Sequence, residues 1–152
     1  MPLVTDATGN DLTYKIIGLA MAVHNEIGYG FKEEVYEKAF EVKLNHAGIE
    51  PNRQYEVHVE YEGETVATFY VDLFPNLQVV VEVKAFSHQL TNDELAQVIN
   101  YLKATGAQVG LLFNFGRRKL EYRRMFPAKD MKSAQRLGRD DIERIEVKSG
   151  LR

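Results

Sequence analysis

The stretch VDLFPNLQVVVEVKA, residues 71–85, decides how this chain is read. One apolar run ends at Asp72, Phe74-Pro75-Asn76 makes a turn, and a second apolar run carries Glu82 and Lys84. Alternate residues of a strand point to one face. Glu82 and Lys84 therefore share a face of a strand whose other members are Val79, Val80, Val81 and Val83. Strands this apolar usually bury both faces, and an unpaired buried charge is costly. A bound cation is one compensation. A Glu–Lys pair on a partly exposed edge strand is the other.

Whether a second carboxylate joins Glu82 depends on register. A tight hairpin at Phe74–Leu77 sets Tyr70 opposite Glu82 and Asp72 opposite Val80 in one register. Asp72 and Glu82 then sit diagonally on one face, roughly 7–8 Å apart at the backbone. A slip of one residue sends them to opposite faces. In the first register two carboxylates lean toward one divalent cation. Oxygen ligands in a chain with no cysteine suit Mg2+ or Mn2+ rather than structural zinc. Lys84 is then placed to hold or polarise an attacking water, or to stabilise charge on a phosphate.

Outward from this strand the chain alternates helix and strand signals. Leu12, Ile16, Leu19, Ala20, Val23 and Ile27 recur at helical spacing, and Gly28-Tyr29-Gly30 breaks the pattern. A second helix is predicted from about Phe31 to His46, with Gly48 and Pro51 beyond it. Tyr55 to Tyr61 alternates apolar and polar residues, Glu62-Gly63-Glu64 reads as a hairpin turn, and Thr65 to Leu73 is rich in β-branched and aromatic residues. With Leu77 to Ala85 these make a three-strand meander. A third helix is predicted over Asn92 to Ala104, capped by Thr91, Asn92 or Asp93 and stopped by Gly106. Val109 to Phe115 reads as a buried strand, Leu120 to Phe126 as an edge strand, and Asp140 to Val147 as a short helix. The fold class is α/β, a mixed sheet with a meander flanked by helices.

At 152 residues one domain with a real core is expected: a loose leader over 1–11, the domain over 12–126 and a charged extension over 127–152. The hydrophobic fraction of 45% and charged fraction of 27% are those of a soluble globular protein. A net charge of −3 gives no global basic field, so any nucleic-acid contact must come from a local patch. The absence of cysteine excludes a disulfide scaffold and a thiolate nucleophile. No signal-peptide pattern and no apolar run of about 18–20 residues is present, which makes the cytoplasm the expected location and excludes a membrane helix.

Further motifs fall in a fixed order along the chain. Gly30-Phe31-Lys32-Glu33-Glu34-Val35-Tyr36 matches G-x-x-E-x-x-Y, and Asp72 with Glu82-Val83-Lys84 matches D…E-x-K. Gln97-Val98-Ile99-Asn100-Tyr101 matches Q-x-x-x-Y, and Gly110 to Gly116 resembles G-L-L-x-N-F-G. Taken singly each is weak. As an ordered set over residues 12–126 they resemble the GxxExxY protein family, a branch of the PD-(D/E)XK nuclease superfamily.

The resemblance implies a restriction-endonuclease-like core of helix, three-strand meander, helix and strand. It implies Glu33, Asp72 and Glu82 as Mg2+ ligands and Lys84 as the catalytic lysine. It also implies Gln97 and Tyr101 as residues that support the site or touch substrate. Two positions depart from the family pattern: Tyr70 stands where an Arg is frequent, and Glu94 where a His occurs. Both bear on phosphate contacts, and neither is a proposed ligand.

The residues themselves are compatible with those roles. Glu33 and Tyr36, three apart, lie on one helix side, with core packing of Tyr36 the alternative. Glu94, Gln97 and Tyr101 form a polar line beside the apolar stripe of their helix; Gln97 bound to the sheet backbone is the alternative. Basic residues Arg117, Arg118, Lys119, Arg123, Arg124, Lys129, Lys132, Arg136 and Arg139 outnumber Glu121 and Asp130 in their segment. They read as a phosphate-contacting patch led by Arg117 and Arg118, or as a solvated face. The expected function is a Mg2+-dependent nuclease acting on DNA more than RNA, as a homodimer or with a partner protein. The competing expectation is a non-catalytic nucleic-acid-binding or scaffold module on the same fold.

Overall fold

The computed structural model describes residues 10–127 and 146–149. Its elements in chain order are α1 (Asn10–Ile27), α2 (Glu33–His46), β1 (Tyr55–Tyr61), β2 (Glu64–Val71), a 3-10 turn (Pro75–Leu77), β3 (Val79–Lys84), α3 (Asn92–Thr105), β4 (Val109–Asn114), β5 (Glu121–Met125) and β6 (Glu146–Ser149). No described helix is long and apolar enough to cross a membrane.

The valine-rich character of β3 has a topological cause. β3 pairs in parallel with β4, and α3 crosses between them. A parallel pair needs such a crossover, which covers the sheet. Val79, Val81 and Val83 pack with β4 residues Leu111 and Phe113 against α1 and α2, through Ile16, Ala20, Tyr36 and Phe40. Val80 and Leu112 face the other way, onto Leu95, Val98 and Leu102 of α3. By period two, Glu82 falls on the α3 side with Val80.

β1 and β2 form a separate two-stranded antiparallel ribbon. Its turn is Glu62-Gly63, with positive φ of 49° and 81°, as two-residue hairpins with the sheet's own twist require. The ribbon meets the main sheet at one bridge, Leu73 with Val81. The turn beyond is no tight hairpin, because residues 74–80, with the 3-10 turn inside them, separate the bridged pair Leu73 and Val81; within it Asn76 and Leu77 take left-handed φ, 52° and 56°. The Asn76 amide donates to Glu50 O at 2.8 Å, and its side-chain Oδ1 accepts from Glu50 N at 3.0 Å. The Leu73–Val81 bridge centres the turn at Leu77 and not at Asn76. The expected register moves by two residues: Asp72 falls opposite Glu82, not Val80. A shift of two preserves the face, so the carboxylates still meet, more directly than expected.

β5 is no edge strand. It lies between β4 and β6 in a four-stranded sheet ordered β3-β4-β5-β6. The short helix expected over 140–147 lies outside the described residues except for its last two, Glu146 and Val147, which open β6. α1 begins at Asn10, two residues before the expected start.

Candidate active site

β2 and β3 part immediately after the Leu73–Val81 bridge, and two carboxylates occupy the opening. Asp72 Oδ2 accepts from the Val83 amide at 2.8 Å, and Glu82 Oε1 accepts from the Asp72 amide at 3.0 Å. Each acid thus takes a backbone donor, and the Val83 amide is one that a continued β2–β3 ladder would have paired strand to strand. Glu82 is only 3% exposed. Burial first, and the Asp72 charge second, push its carboxyl well above the ordinary carboxylate range, with Lys84 pulling the other way.

Glu33 opens α2 and is half-buried. Burial raises its pKa, Lys84 lowers it, and Asp72 and Glu37 raise it further. Asp72, Glu82, Lys84 and Glu33 thus share one electrostatic neighbourhood, although the chain brings them from three elements.

Glu37 belongs there too, and sequence reasoning missed it. One helical turn after Glu33, it is 5% exposed. Its Oε1 accepts from Gln54 Nε2 at 2.6 Å and from Arg53 Nε at 3.1 Å. The same Gln54 nitrogen donates to Asp72 Oδ1 at 3.3 Å, and Gln54 N donates to Asp72 O at 2.8 Å. Gln54 therefore ties the α2 acid Glu37 to Asp72, the residue that follows β2. The four-residue spacing from Glu33 was the available signal.

Gln97 and Tyr101 join the site from α3. Gln97 Nε2 donates to the Tyr101 hydroxyl at 2.9 Å, and the Tyr101 ring stacks on Phe69 of β2 at 4.8 Å. Burial and then the Glu82 charge push the phenol up to about 12, against the Gln97 hydrogen bond. Glu94 does not extend this line as expected. Its carboxylate turns back to the helix start, accepting from Thr91 N and Thr91 Oγ1 at 2.8 Å each, a capping box.

Tyr36 points away from solvent. Its hydroxyl donates to Gly28 O at 2.7 Å and accepts from Phe31 N at 3.2 Å, and its ring stacks on Phe115 at 5.0 Å. It fastens the turn that delivers Glu33. Tyr36→Phe keeps the stack and loses both hydrogen bonds. The expected cost is about 1–1.5 kcal/mol, read as a lower urea midpoint with unchanged slope.

The G-L-L-x-N-F-G segment also has a physical account. Gly110 lets α3 approach β4, since a Cβ there would lie 2.7 Å from Val98 Cγ1. Buried Asn114 accepts from Phe86 N at 2.8 Å and Gly116 N at 3.1 Å, and donates to His88 O at 3.0 Å. It also donates to Glu121 Oε1 at 3.2 Å. Glu121 in turn accepts from Leu90 N at 3.1 Å and Arg123 at 2.8 Å. This network, also missed from sequence, fixes the loop that leaves Lys84.

Among the expected basic contacts, Arg123 is thus committed to Glu121, Arg117 is partly exposed with its guanidinium 3.7 Å from Glu121, and Arg118 and Lys119 are exposed. Lys129, Lys132, Arg136 and Arg139 lie outside the described residues.

The carboxylate oxygens of Asp72 and Glu82 fit a hard divalent cation in kind, and their mutual repulsion in a buried place is what such a cation relieves. Among the described residues, no three His, Asp or Glu side chains converge on a full ligand cage.

The family model of the PD-(D/E)XK nuclease superfamily matches residues 10–125. The chain belongs to that superfamily. No curated protein and no solved structure compared with the chain matches it. Members of the superfamily generally act on nucleic acid with divalent metals such as Mg2+.

Proposed function

We propose that this chain is a Mg2+- or Mn2+-dependent nuclease that hydrolyses phosphodiester bonds, of DNA more than RNA, and that it belongs to the GxxExxY branch of its superfamily. The observation that carries the reading is the interlocked pair Asp72 and Glu82 at the parting of β2 and β3, within electrostatic range of Lys84 and Glu33. Asp72 and Glu82 are the residues that would hold the cation, with Glu33 as the third acid. Bound there, it would offset charge on the phosphate and ease ionisation of the attacking water. Lys84 orients that water and takes or shares its proton. Gln54 and the Gln97–Tyr101 pair keep the carboxylates in place. A cytoplasmic location goes with this reading, in a chain that has no cysteine for a disulfide framework.

Lys84→Ala tests it. With Mg2+ and then Mn2+, and with mixed single- and double-stranded DNA and RNA, the variant is expected to lose on the order of a hundredfold or more in cleavage rate. Equal rates for variant and wild type would remove Lys84 from the chemistry.

A second reading is favoured by one observation. Asp72 and Glu82 each spend an oxygen on a backbone amide, and no three-ligand cage stands ready among the described residues. A module that only binds nucleic acid would keep these contacts as structure. It would show salt-sensitive binding unchanged by Lys84→Ala, with no cleavage.

A further inference from the structure

Two exposed rings stand on a rigid mount beside the acidic site. Tyr29 and Phe31 are 58% and 53% exposed, in the turn between α1 and α2, and Glu33 follows two residues later. The turn is not loose. Gly28 and Gly30 supply φ of 80° and 117°, and the Tyr36 hydroxyl bonds to Gly28 O and Phe31 N. Phe31 meets Tyr36 edge-on at 6.4 Å, and Tyr36 stacks on Phe115 at 5.0 Å. The Phe115 amide donates to Lys84 O at 2.8 Å. A ladder of rings therefore runs from the strand end bearing Lys84 to the surface. Core packing explains Tyr36 and Phe115 but not an exposed ring held in place at the ladder's end.

The charge around these rings suits a polyanion. Lys32 lies in the same turn and is exposed. The Arg117-Arg118-Lys119 loop is fastened to α1, because His24 Nε2 donates to Arg117 O at 2.9 Å and Gly28 N donates to His24 O. The neighbouring acids Glu26 and Glu34 are paired with Lys43 and Lys38. Glu56, Glu60, Glu62 and Glu64 lie exposed on the β1–β2 ribbon, which makes that ribbon repel a phosphate backbone. Approach is left to the basic loop and the rings.

Rings beside basic side chains are how sequence-tolerant single-strand binders work: bases stack on the rings while cations track the phosphates. Bases inside a duplex are already stacked on each other and offer no free face. We propose that Tyr29 and Phe31 form a base-stacking platform and that the site takes nucleic acid with unpaired bases, a single strand or an opened end. The substrate class rests on the nuclease reading; the platform itself is tested apart from it.

The test is fluorescence anisotropy in EDTA with a fluorescein-labelled thymidine homopolymer and a blunt duplex of equal length, with Mg2+ cleavage of both followed in parallel. The full chain is compared with Tyr29→Ala, Phe31→Ala and Phe31→Trp, all checked by circular dichroism. The homopolymer is expected to bind more tightly than the duplex. Phe31→Ala is expected to weaken homopolymer binding by about tenfold, and Phe31→Trp to restore it. Equal affinity for duplex and single strand, no binding of either, or an unchanged Phe31→Ala constant would overturn the platform, whatever the cleavage result. Ring-dependent binding without cleavage would support the platform while removing the nuclease reading.

Discussion

Glu82→Gln is expected to abolish metal-dependent cleavage and, at the same time, to make the metal-free protein more stable. The two effects share a cause. Glu82 is buried against Asp72, and both burial and that neighbour disfavour its charge. In the unfolded chain the group titrates at its ordinary value of 4.5; in the folded chain it holds its proton to higher pH. Between those two points the folded state binds more protons than the unfolded state, so stability falls as pH rises. Glu33 and Glu37 are shifted in the same direction. Metal-free wild type should therefore melt higher near about pH 5 than near about pH 8. A neutral amide keeps the acceptor for Asp72 N and removes the largest share of that slope. The gain at alkaline pH reads as about 2–4 °C in midpoint for each kcal/mol recovered.

Mn2+ separates this from simple stabilisation. A cation bound only by the folded state raises the midpoint, by about 2.7 kcal/mol of stability at a hundredfold excess over its dissociation constant. Wild type should show that rise and Glu82→Gln should not. A variant that melts no higher than wild type at alkaline pH would mean the carboxylate carries no buried-charge penalty. A variant that still gains stability from Mn2+ would move the metal elsewhere.

How much of this could be read from the chain differs residue by residue. Helix stripes and the β1–β2 turn were legible because they are local: Leu12, Ile16, Ala20 and Val23 repeat at helical spacing, and Glu62-Gly63 is a turn wherever it occurs. The shared face of Asp72 and Glu82 was legible as one of two parities. Their direct opposition was not, because nothing in the sequence marks Leu77, an ordinary residue, as left-handed. Glu94 carried a readable signal, the Thr91-x-x-Glu94 capping box, that competed with its spacing to Gln97. Glu37 and the Asn114–Glu121 network were hidden for another reason. Their partners, Gln54, Phe86, His88 and Leu90, lie in irregular segments with no period to betray who meets whom. β5 looked like an edge because β6 comes from a charged segment some twenty residues on, where local pattern says little about pairing.

Gly116→Ala is expected to be strongly destabilising. A Cβ there would lie 2.4 Å from Ala85 C, 2.5 Å from Phe86 O and 2.6 Å from Phe86 N. All three are backbone atoms, so no side chain can swing aside. The loop after Lys84 must move, and it is held by the Asn114 bonds to Phe86 N and Gly116 N. Relief of one clash therefore breaks the contacts of a buried amide. The cost is expected at about 3 kcal/mol or more, read as a lower urea midpoint. Gly110→Ala is the control. Its Cβ would meet Val98 Cγ1 at 2.7 Å and the Leu102 methyls at 3.3 and 3.5 Å, side-chain atoms that can repack, for about 1–2 kcal/mol. The two variants differ in function as well. Gly110→Ala strains the α3 face of the sheet, whereas Gly116→Ala pushes directly on the residues that follow Lys84. At a temperature where both remain folded, Gly116→Ala should lose cleavage out of proportion to its stability and Gly110→Ala should not. Equal midpoints for the two would mean that the 85–91 loop yields freely and does not fix Lys84.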